Sequence, residues 1–194
     1  MNVQEFEGKN IFITEEFFDE NFEKSILKEM PDNEKFLQKK NSLKELNTEL
    51  INWFGQVLPN ISFEQEQFLF KKLNYFEMQM ELFPKNQKYK EIFIDTRNTI
   101  FMCYIRSAIK YVSWKIALAD VPLKYQKNKS FDFRAQMVSE NYNALIDCIS
   151  RFDWRRGYKF STYLYRAFQK SSLNAMAKYA KKSAYQFNNG LWMF

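Results

Sequence analysis

The sequence predicts an all-α protein, on three observations. It holds only four Gly and four Pro in 194 residues, too few turn formers for a sandwich or barrel. Apolar residues recur at three- and four-residue spacing along most of the chain. The 21 Phe, 11 Tyr and 4 Trp supply large side chains for packing between helices.

In chain order, residues 1–60 carry no recognisable chemistry and are expected to form a helical extension of unknown role. Thr14-Glu15-Glu16 has the character of a helix start, and Leu43, Leu46, Leu50, Ile51 and Phe54 repeat at helical spacing before Gly55 and Pro59. A helix is then predicted from Ser62, with Glu64, Gln65 and Glu66 in its first turn, through Phe68, Leu69, Leu73, Phe76 and Met80 to about Pro84. The next spans roughly Glu91 to Leu118, with Ile100, Tyr104, Ile105, Ala108, Ile109, Val112 and Ile116 on one side. Pro122 and the polar run Gln126-Lys127-Asn128-Lys129 predict a loop, followed by a helix over about Asp132–Arg151 built on Val138, Tyr142, Leu145 and Ile149. The last helix is predicted to be capped by Ser161 or Thr162 and to run to about Ser183. At 100° per residue, Leu164, Phe168, Ser172, Ala175 and Tyr179 share its core face, whereas Tyr163, Arg166, Lys170 and Lys181 share another.

Composition narrows the chemistry. The chain has no His, which removes the commonest general base and metal ligand. No Gly-rich phosphate cradle is present and the carboxylates are scattered, so no enzyme and no cofactor are expected. Cys103 and Cys148 lie in apolar runs without a CxxC pair and are read as buried thiols of a reducing compartment. The acidic N-terminus lacks a signal-peptide pattern, and no stretch reaches the roughly 18 apolar residues of a membrane span, so a cytoplasmic protein is expected. Charge is polarised: the net is −6 through Asp95 and +12 from Thr96 onward. Residues 151–194 carry nine basic side chains against Asp153 alone, as suits a polyanionic partner.

The most informative stretch is Arg151-Phe152-Asp153-Trp154-Arg155-Arg156-Gly157-Tyr158-Lys159-Phe160-Ser161-Thr162-Tyr163, with five aromatic and four basic residues in thirteen positions around one Gly. Exposed rings stack on unpaired bases while cations neutralise the strand between them, which makes single-stranded nucleic acid a natural ligand. Phe152 and Phe160 admit a second reading, as plugs between helices.

The order of residues from Phe152 to Tyr163 resembles the signature of the sigma-70 family of bacterial RNA polymerase factors, in the stretch where promoter DNA is melted. Gln136 to Tyr142 falls where these factors contact the polymerase clamp, Thr96 to Arg106 resembles the segment before it, and Ser62–Met80 resembles the preceding conserved helix. The similarity covers about residues 61–180 and implies a helical bundle like sigma region 2 over 61–182, with a short tail over 183–194. It also implies that Phe152, Arg156, Tyr158, Phe160 and Tyr163 build a pocket for a flipped adenine of the −10 element. Arg155, Lys159, Ser161 and Thr162 would add strand contacts, and Lys170 would sit at the upstream base pair. Gln136, Ser139, Glu140 and Asn141 would face core RNA polymerase. The chain departs from the family at Arg166 and Ala167, where a tryptophan wedge is usual, and at Gln136, Ser139 and Asn141. Nothing after Lys182 resembles the family's helix-turn-helix domain for the −35 element, so the expectation is either a factor working from the −10 element alone or an incomplete or decayed chain. Two other readings stand beside it: a non-initiating protein that occupies the clamp or an anti-sigma partner, and a general polyanion or membrane-surface binder.

Overall fold

The computed structural model describes residues 11–28, 61–117 and 130–190. These are 82% helical and contain no strand, so the fold is all-α. A 3-10 turn, Glu15–Phe18, precedes a short helix α1 (Phe22–Ile26). Four longer helices follow: α2 (Phe63–Leu82), α3 (Gln87–Ala117), α4 (Ser130–Arg151) and α5 (Phe160–Gly190), with a second 3-10 turn, Trp154–Arg156, between the last two. The apolar repeat at 43–54, Gly55, Pro59 and the expected loop at Pro122 and 126–129 lie outside the described residues, as do the side chains of Ile116, Tyr179, Lys181 and Lys182.

The helix boundaries follow local chemistry. Ser62 caps α2 as the sequence predicts: its Oγ accepts the Gln65 N–H at 3.2 Å, and the Gln65 carboxamide accepts the Ser62 N–H at 2.9 Å. Pro84 follows its end, where the Phe83 N–H reaches back to the Gln79 carbonyl at 2.8 Å. Helix α3 begins earlier than predicted because Asn86 caps it, its side chain accepting the Lys88 N–H at 3.1 Å. Helix α5 also begins early, at Phe160, so Ser161 and Thr162 lie in its first turn and are not its caps. It continues to Gly190, through most of the segment read as a tail.

Contacts divide the chain into two compact units, Met1–Tyr104 with Ile149–Phe160, and Ile105–Cys148 with Ser161–Phe194. In the first, Phe70 packs on Phe152 and Phe160 with ring centroids 4.7 and 4.9 Å apart, and Tyr104 meets Phe160 edge-on at 4.9 Å. Glu66 is buried among these rings. Its carboxylate accepts the Tyr104 hydroxyl and, at 2.8 Å, the Phe160 N–H, one of the amides that a helix start leaves without a partner. The described N-terminal residues belong to this unit: Phe17, Phe22 and Tyr75 form a ring cluster, and Glu23 accepts the hydroxyls of Tyr75 and Tyr89 at 3.5 and 3.3 Å. Burial and the Glu23 carboxylate push Tyr75 up to about 12.

In the second unit Val112, Met137 and Ala175 form a buried cluster with Val138 and Met176 against it. The face of α5 read as core is buried at Leu164, Phe168, Ser172 and Ala175. Asn141 is fully buried beneath it, accepting hydrogen bonds from Ser171 and, at 3.2 Å, Ser172. Cys103 and Cys148 are both buried and form no disulfide, as the sequence predicts.

Replacing Glu66 by Ala leaves a helix-start amide and a tyrosine hydroxyl buried without an acceptor. Urea unfolding is expected to show a loss of about 3 kcal/mol, with Glu66→Gln, which keeps one acceptor oxygen, losing less.

Burial, reinforced by the Glu81 carboxylate and opposed by Arg97, pushes Glu77 up to about 7 from the ordinary 4.5. The folded state thus holds this proton more tightly than the unfolded chain, so the stabilisation is complete below about pH 4.5 and is lost as pH rises through about 7. Thermal unfolding should therefore move to lower temperature as pH is raised over that interval. Glu77→Gln should remove part of this slope and raise stability on the alkaline side by roughly 1–2 kcal/mol.

Candidate nucleic-acid interface

The stretch singled out in the sequence begins where α4 ends and passes through a tight turn into α5. Asp153 organises the turn. Its carboxylate accepts Arg155 Nε at 2.8 Å, Arg155 Nη2 at 3.2 Å, the Arg155 N–H at 3.3 Å and Arg156 Nε at 3.3 Å. Partial burial works against its charge, but the Arg155 and Arg156 bonds prevail and hold the carboxyl below its usual range. Gly157 closes the turn at φ 71°, with its N–H on the Trp154 carbonyl at 3.4 Å. A β-carbon there would meet nothing within 4 Å, so the need for Gly is one of backbone conformation and not of space.

The five aromatics of the stretch divide into two kinds. Phe152 and Phe160 are sealed under Phe70, with centroids 5.1 Å apart, and Trp154 is buried against Phe17. These three are anchors. Phe152 and Phe160 therefore have no face to offer a base, which corrects their placement in a nucleotide pocket. Tyr158 stands edge-on to Phe152 at 5.7 Å and keeps 37% of its surface in solvent. Among the cations, Arg155, Arg156 and Lys159 are all exposed, Arg155 with 41% of its side chain in solvent. Arg155 is committed within the unit: besides its Asp153 bonds, its Nη1 donates to the Ile13 carbonyl at 3.1 Å, and its guanidinium lies 5.3 Å from the Phe12 ring.

In the second unit α5 exposes Ser161, Thr162, Arg166 and Lys170 and half-buries Tyr163. The residues expected to face a polymerase lie along α4. Ser139 is exposed and Gln136 half-buried, while Glu140 is half-buried and paired with Lys178 at 2.8 Å. Asn141 is withdrawn from that surface: it faces α5, and its role is to bond Ser171 and Ser172.

Two residues that shape the stretch were not singled out in the sequence. Asp153 stood in plain view beside two arginines, and its spacing as a cap for the turn was the available signal. Glu66 gave none, because its partners lie 38 and 94 residues away. Among the described residues no cluster of three His, Cys, Asp or Glu could hold a metal ion, and no helix is long and apolar enough to cross a membrane.

Asp153→Asn should release both arginines from the turn. Because its folded carboxyl lies below the ordinary 3.8, its stabilisation is present above that value and lost as pH falls through the folded one. Denaturation across the acid range is expected to show Asp153→Asn less stable than wild type by about 1 kcal/mol near neutrality, with the two curves converging in acid. No family model, curated protein or solved structure matches the chain.

Proposed function

We propose that the protein is a sigma-like factor that docks on bacterial-type core RNA polymerase and captures the unpaired non-template strand of a −10 promoter element. The observation that carries this reading is the division within the stretch: anchored rings hold a turn whose Arg156, Tyr158 and Lys159 remain open to solvent. A rigid turn loses little conformational freedom when a strand binds it. Each exposed cation neutralises one phosphate, and an exposed ring gives a base a face to stack on, contributing roughly 1–3 kcal/mol. With Phe152 and Phe160 in the core, stacking falls to Tyr158 in the first unit and Tyr163 in the second. Arg166 and Lys170, exposed on α5, supply further phosphate contacts. Gln136, Ser139 and Glu140 are the remaining candidates for the polymerase contact.

A second reading is favoured by Arg166 and Ala167, which stand where the family carries its tryptophan wedge. An Arg plane stacks on a base but separates strands less well than an indole. A protein of this kind would bind polymerase, or an anti-sigma partner, without initiating; run-off transcription separates the two, since only an initiating factor yields a promoter-specific transcript.

Anisotropy with a labelled single-stranded −10 oligonucleotide should show affinity falling with salt, with a log–log slope of about −0.7 per neutralised phosphate. Tyr158→Ala and Tyr163→Ala should each weaken single-strand binding about tenfold and leave duplex binding nearly unchanged. Absence of single-strand binding together with failure to retain core polymerase would end the proposal.

A further inference from the structure

The segment before α2, a helical extension without an assigned role in the sequence, reaches the turn of the proposed interface. Two of its contacts fall on consecutive residues of that turn. Arg155 donates to the Ile13 carbonyl and lies over Phe12, and Trp154 stacks on Phe17 with centroids 6.4 Å apart and planes 14° from parallel. Both contacts are tied back to α2. The Phe12 N–H donates at 2.7 Å to the carboxamide of the buried Asn74, which itself donates to the Phe70 carbonyl at 2.9 Å. Phe70 is the ring that seals Phe152 and Phe160. Lys71 pairs with Glu16 at 2.5 Å while its Nζ lies 5.5 Å from the Phe22 ring and 5.7 Å from the Trp154 ring. The segment is buried at Ile13, Phe17, Phe22 and Ile26, so it is part of the unit and not an appendage.

We propose that residues 12–17 are a positioning element of the strand-binding turn: they lock Trp154 and Arg155 so that Arg155 acts as a strut and only Arg156, Tyr158 and Lys159 meet the strand. This rests on the reading that the turn binds single-stranded DNA. The donor geometry supports the strut. Nε, Nη1 and Nη2 of Arg155 all have acceptors within the unit, and turning the guanidinium toward a phosphate would break three hydrogen bonds and uncover the Phe12 ring. Arg156 bonds Asp153 through Nε at 3.3 Å and interacts with the Tyr158 hydroxyl, a neighbour in the same turn, yet keeps two-thirds of its side chain in solvent, at 65%. Two adjacent arginines of one motif thus have different work: the first sets the turn and the second neutralises the strand.

The test uses the full chain, a labelled oligodeoxythymidylate and a salt series. Arg155→Ala should weaken binding about fivefold with the salt slope kept, whereas Arg156→Ala should weaken binding and lower the slope by about 0.7. Phe12→Ala should reproduce the Arg155→Ala loss, and the double variant should be no worse than either alone, because both remove one strut. Arg155→Lys, which keeps the charge and can still reach the Ile13 carbonyl, should recover part of the affinity. The Gly157 amide resonance, followed without DNA, should shift in Phe12→Ala and Arg155→Ala but not in Arg156→Ala. A slope lowered equally by both arginine variants, or additive losses for Phe12→Ala and Arg155→Ala, would overturn the proposal. Should wild type fail to bind the oligonucleotide, the strand-binding reading falls, and the Gly157 resonance still decides the bracing: a shift upholds it and its absence removes it.

Discussion

A single buried carboxylate holds the first unit to one arrangement. Glu66 stands on α2, accepts the hydroxyl of Tyr104 on α3, and accepts the amide that opens α5. Three helices are thereby registered at one point. The rings of Phe70, Phe152, Phe160 and Tyr104 close over it. Their exclusion of water pushes the carboxyl up, while the bonds from Tyr104 and Phe160, and the nearby Lys159 charge, pull it back. The same low dielectric that disfavours the bare charge strengthens each hydrogen bond to it. By accepting the first amide of α5, Glu66 ties to α2 the far end of the stretch that Gly157 turns.

What the sequence revealed and what it hid divide along sequence distance. The Ser62–Gln65 capping box, the apolar face of α5 and the breaking of α2 near Pro84 depend on neighbours within one or two helical turns, and each is legible in the letters. The start of α5 is not, because its cap is supplied from α2; Ser161 and Thr162 are good capping residues that the fold does not use as caps. Arg155 looks like any other motif cation until its acceptor, 142 residues earlier, is known. Asn141 looks like a polar surface residue of an amphipathic helix. Two hydroxyls from α5, 30 and 31 residues on, make it a buried one. Long-range polar pairing has no periodicity, so it leaves no trace that a pattern search can find.

The aromatic and basic composition of the stretch therefore states a capacity and not a surface. A run rich in both residue types has to satisfy the core first, since a ring left in water forgoes about 25 cal/mol for each Å² of apolar area it could have buried. Here the core takes Phe152, Trp154 and Phe160, and Asp153 with the Ile13 carbonyl takes Arg155. Less committed at the turn are Arg156, Tyr158 and Lys159, a smaller set than the sequence suggested. Tyr158 rests its ring against Phe152, so its exposed face is held in place before any base arrives.

The charge polarity of the chain bears on the same set. An acidic N-terminal half folded beside a cationic turn would ordinarily repel a nucleic-acid strand. Three of its carboxylates are instead committed locally: Glu16 to Lys71, Glu23 to the hydroxyls of Tyr75 and Tyr89, and Asp19 to the Asn21 amide. Asp153, the nearest carboxylate to Arg156, is shared with Arg155 and so neutralises neither arginine alone. Of these, the Glu16–Lys71 ion pair offsets a carboxylate charge that an approaching phosphate would otherwise meet.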